Sequence, residues 1–545
     1  MTFMSRFRVL FPVLVLAAAV GASFWHVLSR TRALASGTGS GRVTIRIGHW
    51  LLHEGMRESF DEAARAYEAL HPDVRVEQVA VPIRIWPAWV RTQLVGGTAP
   101  DILGLNTLNE EFINRYFLPL TDAVAEANPW NAGTSLEGIP WRETFADGLD
   151  SMLALVPTTG EVQSVMLQLT TTRLFYNKPL MRAVTGSDAP PADYAALRAL
   201  GRQVADYNAR AGRRLVPVAA CGPYAEYLFG RLLPSQTQQL AIALSPMQTL
   251  NLTAADLARA MLEGRLGYET PEMRSSLALL RDASALMQPG FYQLNRDDAL
   301  FAFLQGNALM IFAGSWDYAV FARNERFEVG ICPMPVPTAD DPGYGRFVLG
   351  PQAETGGTPE GTFGIVRNSP YPEIALDFLR FLTSQHIAQM FADNTYRTSA
   401  ILGVPPPEHA AGLAAILEGE VAGFRPDIPP SFGGGRASHV FRTHLHLLLG
   451  ERGDLDGFVR KLDREMPAAL RSDMERHASR ARRSVSQLDA HLGLLFTQPG
   501  AGAATPDADW TRVSELQHVR QVEYLLSQPR PASRSSGGAP DARSR

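Results

Sequence analysis

Between Val43 and Tyr116 the apolar pattern switches repeatedly between a period of two and a period near 3.6, and no other feature limits the fold as tightly. Val43, Ile45 and Ile47 alternate with other residues, which predicts a strand over Val43–Gly48. Met56, Phe60, Ala63, Ala64, Tyr67 and Leu70 then share one stripe of a helix over Glu54–Leu70. His71-Pro72-Asp73 ends it, because a proline disfavours helical geometry at the residue before it. Val74, Val76, Val79 and Val81 predict a second strand, and Trp86–Val95 a second helix stopped by Gly96-Gly97. Asp101–Leu105 reads as a third strand and Asn109–Tyr116 as a third helix. Strands alternating with helices predict parallel α/β layers.

The same reading continues at wider spacing. Helical periods occupy Tyr194–Tyr207, Ala254–Leu262, Pro271–Met287 and Arg296–Leu304. Ala308–Ala313, Phe327–Cys332 and Thr362–Val366 read as strands. Leu455, Phe458, Val459, Leu462 and Met466 form one more stripe, with Asp454 placed to cap it. A chain of 545 residues exceeds one ordinary core, so two lobes are expected. Residues 43–470 are assigned to them, and 471–545 to a charged helical extension that ends in a disordered Ser/Pro/Gly/Arg-rich tail.

The first 42 residues look like an export segment and linker. Arg6 and Arg8 precede an apolar run from Val9 to Leu28, and Ala33-Leu34-Ala35 offers a cleavage site before Ser36. The run is also long enough, at ~20 residues, to anchor the chain in the inner membrane. Cleavage is slightly favoured over anchoring, and either places the body of the protein in the periplasm or another extracytoplasmic space. A formal charge of −4 without a basic block gives nucleic acid nothing to hold. Cys221 and Cys332 show no zinc-type spacing and are expected as buried thiols, with a disulfide as the alternative.

Chemistry-bearing motifs are few. His49 and His53 stand four apart in IRIGHWLLHEG, but one ends a strand and the other precedes a helix, so they do not share a helical face as a zincin requires. They are expected as surface loop histidines, and neither metal nor cofactor is expected. No G-x-S-x-G elbow, phosphate loop or dinucleotide fingerprint follows a strand. Asp297-Asp298 and Asp340-Asp341 read as solvated charge rather than as an acid/base pair. Trp50, on the loop that leaves the first strand, is the more informative residue, because ligands gather at the carboxyl ends of strands in open α/β sheets.

Five stretches, in order, resemble the sugar-binding branch of extracellular solute-binding proteins, the maltose-binding-protein-like receptors of ABC importers. They are IRIGHWLLHEGMRESFDEAARAYEALHPDVRVE; WVRTQLVGGTAPDILGLN; TTRLFYNKPLMRAVTG with PPADYAALRALGRQV; FLQGNALMIFAGSWDYAVF with FEVGICPMPVPT; and GTFGIVRNSPYPEIALDFLRFLTSQHIAQMFAD. A sixth, weaker match is RPDIPPSF with LLLGERGDLDGFVRKLDREM. The resemblance implies an α/β, two-lobed periplasmic-binding-protein fold of type II-like form, with hinge strands and here a C-terminal helical extension. It implies a ligand clamped between lobes and released unreacted, so no enzyme.

Carried over residue by residue, the resemblance points to Trp50, Asn106, Tyr176, Tyr224, Trp316, Asp317 and Arg397 as ligand contacts. Aromatic rings would cover a sugar's C–H face, and the polar side chains would meet its hydroxyls. The implied partners are a small carbohydrate or polyol and two ABC permease subunits served by a separate ATPase, with the protein itself a monomer. The alternatives are an exported glycan-acting hydrolase and a membrane-tethered sugar sensor that signals through its tail. Two departures stand out. The joint between Pro157 and Phe175 is long and predicts an added hairpin, and Gly433-Gly434-Gly435-Arg436 stands where the family often supplies an aromatic.

Overall fold

The computed structural model describes residues 42–497 except 152–153, 157–158, 246–251, 253, 355–357, 406–407, 417–418, 420–422, 427–434 and 450–452, together with a few residues between 513 and 524. The export segment, most of the tail and Gly433-Gly434 lie outside the described residues. The strands are β1 (Val43–His49), β2 (Val74–Ala80), β3 (Ile102–Gly104), β4 (Leu155–Val156), β5 (Glu161–Val162), β6 (Val165–Thr170), β7 (Thr172–Asn177), β8 (Val216–Ala219), β9 (Ala308–Gly314), β10 (Val329–Cys332), β11 (Thr358–Ile365) and β12 (Thr398–Ser399). They divide between two compact units. Unit 1 draws on Met1–Ala154, Val162–Gln168 and Pro359–Pro405, and unit 2 on Leu155–Glu161, Leu169–Thr358 and Pro406–Arg545.

Unit 1 is built on a six-stranded sheet in the order β12-β6-β11-β3-β1-β2. β1 runs parallel to β2 and β3, with Val43 opposite Val74 and Gly48 opposite Leu103. β11 returns antiparallel to β3, with Phe363 opposite Gly104. The helix Met56–Leu70 lays Met56, Phe60, Ala63, Ala64 and Tyr67 on the core, while Leu70, expected on that stripe, is exposed. Gly55 starts this helix at φ 83°, and a Cβ there would lie 2.4 Å from the Asn394 carbonyl oxygen, so no other residue fits.

Unit 2 contains a four-stranded sheet in the order β10-β7-β9-β8. β7 is antiparallel to β9 and β10, and β8 is parallel to β9. Both sheets are therefore mixed, which corrects the parallel layers expected from the sequence. Strands buried on both faces read as continuous apolar runs, and such a run carries no mark of its direction. β9, buried at every position, is the clearest case. A small two-stranded sheet, β4 with β5, precedes β6 and β7; β5 falls inside the long joint, but β4 lies just ahead of Pro157, outside the bounds expected for the added hairpin.

The helix Leu455–Thr497 is capped as expected, with the Gly457 amide donating to Asp454 Oδ1 at 2.8 Å. Phe458, Val459, Leu462 and Met466 are buried in the unit 2 core. The helix runs unbroken through residue 470. Beyond that point the buried carboxylate of Asp473 accepts from the amides of Arg436 and Ala437, both at 2.9 Å, and so caps the helix Arg436–His444. Leu488, Leu492 and Leu516 close a small cluster further out, and Arg520 pairs with Asp489 at 2.7 Å.

His49 is fully buried, not the surface residue expected. Its ring stacks on Phe60 at 4.4 Å, Nδ1 accepts from the Leu51 amide at 3.2 Å, and Nε2 lies 3.2 Å from Gln78 Oε1. Burial lowers its pKa from 6.5 to about 4, because the charged ring would lose its hydration. The neutral ring therefore supports folding fully above pH 6.5, and that support drains away as the pH falls toward 4. Its size is roughly 3 kcal/mol. Urea unfolding between pH 7 and pH 4 should show His49→Asn losing less stability on acidification than the parent; equal pH slopes would contradict the assignment. Cys221 and Cys332 are both free and buried, and burial raises the thiols to about 11 and about 12.

Candidate functional site

In unit 1 the carboxyl ends of β1, β2 and β3 meet at one sheet edge. Trp50 follows β1, and its ring lies across Gly104 at the end of β3. A Cβ on Gly104 would stand 2.3 Å from Trp50 Cζ3, so the seat exists only because residue 104 is glycine. Trp86, which opens the helix after β2, packs on Trp50 at 5.2 Å, and the partly exposed Trp89 stacks on Trp86 at 5.4 Å. Asn106 lies just past β3, and its Oδ1 accepts from the Thr362 hydroxyl on β11. Trp50 and Asn106 are thus brought to one edge, but Trp50 is buried there between Gly104 and Trp86, while Asn106 is partly exposed.

Arg397 is held more deeply in the same unit. Its side chain is buried, pairs with Glu360 on β11 and donates to Gln168 Oε1 on β6 at 3.0 Å. The structure places Arg397 as an internal tie between strands rather than on a surface.

In unit 2 the corresponding edge lies where β9 ends. Trp316 folds back over Gly314, and a Cβ on Gly314 would stand 2.2 Å from Trp316 Cε2. Trp316 is partly exposed, and Tyr227 meets it edge-on at 5.4 Å. Asp317 is fully buried. Its Oδ2 accepts from the Tyr224 hydroxyl at 2.5 Å, and its Oδ1 accepts from Arg296 Nε at 2.8 Å. Burial and the neighbouring Asp317 carboxylate both raise the Tyr224 pKa, so its hydroxyl stays protonated and donates.

Asp317 therefore bonds inward. The group it holds at the edge is Arg296, about one-third exposed, whose outer Nη1 lies 3.2 Å from the open carboxylate of Asp297. Tyr176 is not part of this group. It pairs with Met310 in the sheet, whereas Thr172 pairs with Gly314, so it sits four residues along β7, roughly 13 Å away. Its ring is buried in the unit 2 core, where Gly330 leaves room for it.

Trp86, Trp89, Tyr227 and Arg296 were not among the residues singled out in the sequence. Tyr224 and Tyr227 stand three apart on the helix Gly222–Leu232, a spacing that could have flagged the second ring. The carboxylate pairs have local duties: Asp298 completes a capping box with Asn295, and Asp341 accepts from the amides of Gly343 and Tyr344. Among the described residues no group of three or more His, Cys, Asp or Glu could hold a metal ion.

Each edge thus carries a tryptophan seated on a glycine, Trp50 buried and Trp316 partly exposed, beside hydrogen-bonding side chains. The family described as Bacterial extracellular solute-binding protein matches over residues 62–415, and the chain belongs to it. It therefore works outside the cytoplasm. Among the described residues no helix is long and apolar enough to cross a membrane. No curated protein matches the chain.

Solved structures share the fold at low identity. RafE in complex with raffinose superposes with a TM-score of 0.54 at 16% identity, covering 78% of this chain and 100% of that one. A chitin oligosaccharide binding protein gives 0.53 at 15%, covering 79% and 100%. The Thermus thermophilus maltotriose binding protein bound with maltotriose gives 0.52 at 17%, covering 79% and 100%. The fold is that of the two-lobed periplasmic binding proteins, here with a helical C-terminal extension.

Proposed function

We propose that this protein is the extracytoplasmic substrate-binding component of an ABC importer, that its ligand is a carbohydrate or related polyol, and that it delivers the ligand unreacted to the permease. The observation that carries this reading is the repeated seat. In each unit an indole lies across a bare glycine at the end of a strand, Trp50 on Gly104 and Trp316 on Gly314. The partly exposed Trp316 ring suits the C–H face of a pyranose, the buried Trp50 backs the unit 1 edge, and Asn106 and Arg296 supply the polar groups that hydroxyls need. The neighbours in complex with raffinose and with maltotriose, and the chitin oligosaccharide binding protein, support the ligand class. Family membership supports the transport role. The local duties of Asp298, Asp317 and Asp341 support a site without an acid/base pair. Ligand contact with both lobes would favour the closed form and present it to the permease, the hinge closure known for periplasmic binding proteins.

A thermal-shift panel of neutral oligosaccharides and polyols tests the proposal. A true ligand at a hundredfold excess over its Kd adds ~2.7 kcal/mol of stability. Trp316→Ala should weaken that ligand by on the order of 2 kcal/mol, about thirtyfold, as expected for an aromatic anchor. A panel with no stabilising compound, or a ligand indifferent to Trp316→Ala, would count against it.

A further inference from the structure

Apart from the β4–β5 excursion, the chain passes between the two units three times, at Gln168/Leu169, Thr358/Pro359 and Pro405/Pro406. On the unit 1 side, one buried arginine ties all three passages. Arg397 belongs to the third, Glu360, with which it pairs, to the second, and Gln168, whose Oε1 it reaches at 3.0 Å, to the first. Gln168 also donates to Thr395 Oγ1 at 3.0 Å.

On the unit 2 side, a second buried arginine does the same. Arg173 belongs to the first passage and makes a two-pronged pair with Glu354 of the second, at 2.8 and 2.9 Å. Its Nε donates to the Gly412 carbonyl of the third at 2.9 Å, and Nη2 donates to that of Ala414. Glu354 Oε2 in turn accepts from the Ile416 amide at 3.1 Å. Both guanidinium side chains are 1% exposed.

The two-pronged Arg173–Glu354 pair needs a planar guanidinium, and the point charge of a lysine ammonium cannot reproduce that geometry. Buried in low dielectric, such a knot cannot exchange its partners for water without a large cost. We propose that Arg397 and Arg173 are positioning residues of the binding cycle: each ties the three passing segments into one block within its own unit, and loosening either knot widens the range of separations the two units sample. This assigns Arg397 to the hinge and not to ligand contact. It rests on the capture of ligand by hinged units, but not on the ligand being a sugar.

The experiment uses the full chain without added ligand. Spin labels go on cysteines introduced at exposed Glu111 in unit 1 and exposed Arg202 in unit 2, since the native thiols are buried. A control pair places both labels within unit 1, at exposed Glu58 and Glu111. Glu360→Gln and Arg173→Lys should each broaden the distance distribution between the units, on the order of twofold, with the control pair unchanged. Hydrogen exchange at amides of β6 and β11 should quicken on the order of tenfold, with β1 and β8 unaffected. If Arg173→Lys does not fold, Glu360→Gln alone decides. An unchanged distribution with only a lower unfolding midpoint overturns the proposal, and so does broadening of the control pair. Failure of every sugar to bind would defeat the ligand assignment and leave this readout standing.

Discussion

Glu354→Ala is expected to lower the stability of unit 2 by about 3–5 kcal/mol. The size follows from what the substitution strands. Arg173 is fully buried, and among the described residues its ion pair is with Glu354, so the cation would be left in low dielectric without compensation. The Ile416 amide would lose its acceptor. Arg231 would suffer too: burial already lowers its pKa, and the nearby Glu354, 3.5 Å away, works against that. Glu354→Gln, which keeps an acceptor oxygen, should cost less. Urea unfolding followed by intrinsic fluorescence measures both, and a loss for Glu354→Ala below about 1 kcal/mol would show the knot to be dispensable.

Gly314→Ala should cripple ligand binding while leaving the backbone unstrained. Gly314 sits at φ −85° and ψ 160°, which alanine adopts freely. The added methyl would nevertheless stand 2.2 Å from the Trp316 ring, and the indole must leave its seat. Overpacking of this kind costs about 1–3 kcal/mol in stability. The loss of affinity should at least match that of Trp316→Ala, about thirtyfold, because the ring is displaced rather than trimmed. Combining the two substitutions separates these effects: Gly314→Ala with Trp316→Ala should regain stability and still fail to bind. Calorimetric titration and thermal unfolding on the same samples give both readouts. Gly104→Ala makes the same test of Trp50, with a methyl 2.3 Å from its ring.

Local pattern carried most of the elements. The helices Ala254–Leu262 and Arg296–Leu304 have the bounds their periods imply, and β1 and β9 extend one residue beyond the expected ends. Direction did not show locally, since β11 reads the same whichever way it runs; the contrast came only from its pairing with β3. Trp50 and Asn106 were legible as site candidates because strand ends can be found by counting. Tyr176 was not separable from them, because its place depends on register with β9, four positions from Gly314.

Asp317 and Arg397 show a different limit. Each is a charged residue near an expected contact loop, and each is buried by partners distant in sequence, Tyr224 and Arg296 in one case, Gln168 and Glu360 in the other. No spacing rule links such residues. The two tryptophan seats could have been suspected, since glycine ends both β3 and β9. What the glycines make room for appears only when the rings are in place.

A guest held against a glycine-seated indole should leave the protein unchanged. Native mass spectrometry of the protein with raffinose, maltotriose and chitin oligosaccharides tests it most directly, by counting bound molecules and weighing them after release. One intact sugar per chain, lost in both Gly104→Ala and Gly314→Ala, is the expected result. Release of shortened sugar, or equal occupancy in the parent and both variants, would contradict it.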